Sequence, residues 1–130
     1  MDPIISSFIF FTNVITTYLY KKYYIYSLLF LTLTATSLLF HSNHNIYTNI
    51  IDKCAIYAVV LYGGYMLYNK ITIDNLHTVI LIVASFISGL VLFFYGYYYK
   101  KYCYDPNYSN HYHCLLHFIS SIGHHFIIFM

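Results

Sequence analysis

A chain of 130 residues in which 60% are hydrophobic and 8% charged cannot wrap itself in the polar surface of an ordinary soluble domain, where about a quarter of residues are charged. Its charges are six Lys and four Asp, and the net +2 is scattered, so no basic stripe is offered to nucleic acid. Cys54, Cys103 and Cys114 fit neither a zinc ribbon nor a CxxC motif; Cys54 and Cys114, set in apolar runs, read as small core residues.

A helix crosses the hydrocarbon core with about 20 mainly apolar residues, and five segments meet that requirement. The first, near Ile4–Tyr20, follows a start without a basic region and lacks a small-residue cleavage site, which reads as a retained span rather than a signal peptide. Lys21 and Lys22 separate it from the second, near Tyr23–His41. The third covers about Ile50–Tyr68 and ends at the polar turn of residues 69–75. The fourth, near Leu76–Tyr99, stops at Lys100 and Lys101, and a wet loop with the turn signal Asp105-Pro106-Asn107 leads to the fifth, His111–Met130. Tyrosines gather at 18, 20, 23 and 24 and again at 95 and 97–99, as in interfacial aromatic belts. With no repeat or linker in view, residues 1–130 form one all-α, multi-pass transmembrane bundle.

Alternation of the spans brings the end of the second, the start of the third, the start of the fifth and the N-terminus to one membrane face. Five polar residues fall at those ends. Ser37 and His41 are one helical turn apart, as are His113 and His117, and Asp52 lies a turn or less into the third span. Polar and ionisable residues within spans are costly and mark function. Each also has a plainer role: Ser37 can bond its own preceding turn, His41 can sit at the water interface, and Asp52 can form an interfacial ion pair with Lys53. As a set, three imidazoles from two helices suit a catalytic zinc ion, which takes three protein ligands and leaves one position to water. A carboxylate then serves as proton acceptor and a hydroxyl as donor to a polarised carbonyl. His44 and His111 lie in wet segments, His77 belongs to the opposite face, and His124 and His125 stand about 10 Å beyond His117 along the helix; these five read as packing, headgroup or cavity-lining residues.

The order Ser37-Leu38-Leu39-Phe40-His41, then Asp52, then His113-Cys114-Leu115-Leu116-His117 resembles the alkaline ceramidases, a branch of the membrane-hydrolase superfamily that includes adiponectin receptors and hemolysin III proteins. The eleven-residue step from His41 to Asp52 is that branch's spacing, and Ile56-Tyr57 and the run Ser120-Ser121-Ile122-Gly123-His124-His125 are similar to its third and last helices. The resemblance covers about residues 37–68 and 90–129. It implies a zinc-dependent amidase that cleaves ceramide to a sphingoid base and a fatty acid, with His41, His113 and His117 as metal ligands, Asp52 as general base and Ser37 as oxyanion donor. It also implies a membrane such as the endoplasmic reticulum or Golgi, with the site facing the cytosol. The family has seven spans, so this chain is a shortened form in which two middle helices are missing. Its substrate chamber is therefore open, or completed by another subunit in a homo-oligomer. The family's acidic calcium site has no counterpart beyond Asp2, and Cys103, similar to a family cysteine that pairs near the N-terminus, has no partner there. Two other readings stay open: a non-catalytic, zinc-stabilised relative that binds lipid or protein, and a small channel-forming oligomer.

Overall fold

The computed structural model describes the backbone of residues 2–102 and 106–130, and the side chains of these residues outside 99–109. Five long helices account for nearly all of it: α1 (Pro3–Tyr20), α2 (Tyr24–Ser42), α3 (Ile46–Lys70), α4 (Leu76–Tyr102) and α5 (Pro106–Phe129). A single 3-10 turn, Ile73–Asn75, precedes α4, and among the described residues there is no strand. Pro3–Tyr20, Tyr24–Ser42, Ile46–Lys70 and Ile73–Tyr98 are long and apolar enough to cross a membrane. The fifth helix, at 24 residues, is of spanning length but more polar.

Local chemistry sets the ends. Asp2 caps α1 by accepting the Ile4 amide at 2.8 Å, and Pro3 occupies the first turn, where a missing N–H costs nothing. The helix is interrupted at Phe8 and ends in a wide turn, Thr16–Tyr20. Lys22, in the left-handed region at φ 57°, then reverses the chain. Asn45 and Thr48 form a reciprocal capping box that starts α3 at Ile46, four residues before the expected Ile50. Asp52 consequently lies nearly two turns inside the helix, deeper than the sequence reading had it. The fifth helix likewise begins early, at Pro106 rather than His111, so the expected wet loop is in large part helical. Cys103 and Asp105, the latter part of the expected turn, lie outside the described residues.

The interior mixes apolar and polar side chains, while the exterior is largely apolar. Buried positions on α2 follow the helical period (Tyr26, Phe30, Leu33, Ser37), and so do Thr48, Asp52, Ala55, Val59 and Gly63 on α3. Ser6, Ser7, Asn13, Thr17 and Ser121 are buried as well, while Leu19, Leu28, Leu61, Ile80 and Phe94 project outward. In water this distribution would be unstable; in lipid the apolar exterior is solvated and interior polar contacts join the helices. Asn13 supplies such a joint between α1 and α5, donating to the Ser121 carbonyl at 3.2 Å and accepting from the Ser121 hydroxyl at 2.6 Å. Cys114 is buried as expected, but Cys54 is exposed, because the stripe through Asp52, Ala55 and Val59 turns it outward.

At the far end, the Lys70 ammonium donates to the carbonyls of Ile127 and Ile128 at 2.9 and 3.2 Å, capping α5, and lies 4.6 Å from the Tyr23 ring. The ends of α3 and α5 therefore share one face, and their beginnings share the other. In the interior, α3 packs chiefly on α2, and α4 packs chiefly on α5. Consecutive in sequence, α3 and α4 stand apart as two walls with α5 as the floor between them.

Candidate functional site

His41 ends the buried stripe of α2, one turn beyond Ser37, and meets α5 where His113 and His117 project from successive turns. Ring centroids are 4.6 Å apart for His41–His113, 4.6 Å for His113–His117 and 5.4 Å for His41–His117. One ligand atom from each lies within 4.8 Å of the others; His117 is buried and the other two half-buried. Around a tetrahedral ion with bonds of about 2.0–2.1 Å, nitrogens stand about 3.3 Å apart, so atoms within 4.8 Å of one another must draw closer to share one ion. The donor set fits zinc.

The orientation of His117 is fixed by a residue that the spacing of motifs does not reveal. Ser6 is buried, and its Oγ lies 2.8 Å from His117 Nδ1. With its proton on the Pro3 carbonyl at 3.0 Å, the Ser6 hydroxyl accepts from the histidine. Nδ1 then carries the imidazole proton, and Nε2 keeps the lone pair that a metal needs. A ligating histidine whose second nitrogen is held by a hydrogen bond is the usual design of such sites. Phe10 braces the same ring edge-on at 5.2 Å.

Ser37 is buried and lies on the wall of a cavity that also touches Asp52, His113 and His117. Its Oγ is 2.8 Å from Ser7 Oγ. With the Ser7 proton on the Pro3 carbonyl at 2.7 Å, Ser37 is the donor of this pair. To act as a donor toward a substrate, Ser37 must exchange that partner.

Asp52 is buried, receives a long hydrogen bond from Thr36 at 3.4 Å, and pairs loosely with Lys53 at 3.9 Å. Thr36 divides its proton between Asp52 and the Leu33 carbonyl, leaving the carboxylate with acceptor capacity. Lys53 turns its ammonium across the Phe40 and Phe93 rings, at 5.5 Å from each.

The cavity measures about 440 Å³ and runs between α3 and α4 from the histidines toward Leu67 and Ile127. Its walls are mostly apolar (Ile56, Val60, Phe86, Leu90), which suits an alkyl chain and matches the size of ligand pockets in general.

The remaining histidines divide. His44, His77 and His111 are exposed, with His44 against Phe40 at 4.8 Å. His125 joins the α1–α5 network, its Nδ1 lying 2.8 Å from the Ser121 carbonyl and 3.1 Å from Asn13 Nδ2. His124 lies on the wall of the cavity. No protein-family model, curated protein or solved structure matches the chain.

Proposed function

We propose that this protein is a zinc-dependent hydrolase of lipid amides of the ceramide class, as its resemblance to the alkaline ceramidases implies. The observation that carries the reading is the convergence of His41, His113 and His117, the last two lining a mostly apolar cavity together with Asp52. His41, His113 and His117 would hold the ion, which supplies polarisation of the carbonyl and a lowered pKa for water. Asp52 accepts a proton from the attacking water and delivers it to the amine nitrogen as the C–N bond breaks, so amide and water become fatty acid and amine. The Ser37 hydroxyl, released from Ser7, donates to the oxygen on which negative charge develops. The gap between α3 and α4 receives an alkyl chain from the side.

A second reading, a zinc-stabilised lipid-binding protein without turnover, is favoured by one observation: Ser7 Oγ lies 2.8 Å from Ser37 Oγ and competes for its proton. Fatty-acid release from fluorescent ceramide in detergent separates the two. The hydrolase reading expects turnover that disappears with a chelator, returns with zinc and is missing in His113→Ala. Zinc binding without turnover establishes the second reading instead.

A further inference from the structure

The amide chemistry makes no use of His124, two turns below His117 and about 10 Å from it along α5. Tyr26 is fully buried, and its hydroxyl oxygen lies 2.5 Å from His124 Nδ1. Its proton needs an acceptor, and His124 Nδ1 is the one acceptor in reach among the described residues. Tyr26 therefore donates, and the imidazole proton belongs to Nε2. The ring is held edge-on to Tyr26 and Phe30, with centroids at 5.8 and 5.0 Å. On its other side α3 supplies Gly63, where a Cβ would come within 2.7 Å of His124 Cε1. An oriented N–H donor is thus built into the wall of a mostly apolar cavity that Ser85 and Ser120 also line, and among the described residues Nε2 has no hydrogen-bond partner.

We infer that His124 forms a polar subsite for an oxygen substituent, a hydroxyl or keto group, in the middle of the bound lipid's alkyl chain, about 10 Å from the scissile carbonyl. The subsite deepens the lipid-amide reading and rests on it for the placement of the carbonyl. A plain alkyl chain filling the cavity covers the Nε2–H and leaves it unsatisfied, whereas a chain with oxygen at that depth accepts from it. Selectivity of this kind comes from a site's own buried polar group, and it works against the ligand that lacks the matching group.

The test is equilibrium binding, measured by displacement of a fluorescent fatty-acyl ceramide from zinc-loaded protein in detergent. Three competitors are compared: ceramides whose acyl chain is unsubstituted, hydroxylated next to the carbonyl, or hydroxylated at mid-chain. Wild-type protein is expected to favour the mid-chain hydroxyl by about tenfold over both others. His124→Phe, which keeps an aromatic ring of similar size, should bind all three alike, and His124→Gln, which restores a donor, should recover part of the preference. Asp52→Asn should retain the preference in full, because binding needs no proton transfer; wild-type protein that shows the preference but no turnover removes the hydrolase reading while leaving the subsite standing. Equal affinities in the wild type, or a preference that survives in His124→Phe, would overturn the subsite.

Discussion

Ser6 and Ser37 show how a hydroxyl's single proton decides what a residue can do. With its proton on Pro3, Ser6 accepts from His117 Nδ1 and leaves Nε2 of that ring to the other two histidines. Ser6→Ala is expected to weaken zinc affinity by about 10- to 100-fold, the range seen when an outer partner of a ligand is removed. Competition with a chelator measures this, and unchanged helical circular dichroism separates it from unfolding. Unaltered affinity would mean that Ser6 merely packs. Ser37, His41, Asp52, His113 and His117 were legible as a group because helical spacing and the alternation of spans place them together. Ser6 and Ser7 were not, since two serines at the start of an apolar run carry no periodic signal. Their role follows from the entry angle of α1, which a linear pattern does not encode.

Between helices, small residues do what large apolar ones do in water. Gly63 and Gly64 are adjacent on α3 yet opposite in consequence. A Cβ on Gly63 meets His124 at 2.7 Å and the Tyr26 hydroxyl at 3.1 Å, while one on Gly64 meets nothing within 4 Å. Gly63→Ala should destabilise the bundle by about 1–3 kcal/mol through overpacking. Gly64→Ala should be neutral or stabilise by up to about 1 kcal/mol through helix propensity. Unfolding in mixed detergent micelles compares the two, and equal effects would contradict the packing described. At this scale the centres of the helices were readable from apolar length, but their beginnings were not. The Asn45–Thr48 capping box and Pro106 begin α3 and α5 earlier because cap geometry, rather than hydropathy, decides where a helix starts. Cys54 shows the same limit: an apolar neighbourhood says nothing about which side of a helix faces lipid.

Across the whole molecule, an exterior of leucine, isoleucine and phenylalanine around buried Ser, Thr, Asn, His and Asp agrees with a multi-pass membrane bundle. If α5 crosses with the other four, cysteines introduced at Asp2, His44 and Asn110 should react with an impermeant reagent from one side of a sealed vesicle. One at Thr72 should react only from the other. In a background without the three native cysteines, labelling of 44 and 110 from opposite sides would break the shared face on which the site depends. The central claim, that this shared face is a hydrolytic centre, turns on Asp52. The most direct measurement is ceramide turnover by zinc-loaded wild-type protein and Asp52→Asn at equal metal content. Asparagine keeps the shape of the carboxylate but cannot take the proton from water, so the account predicts a rate lower by about 10²- to 10⁴-fold with zinc still bound. Equal rates in the two proteins, or no turnover by the wild type, would contradict it.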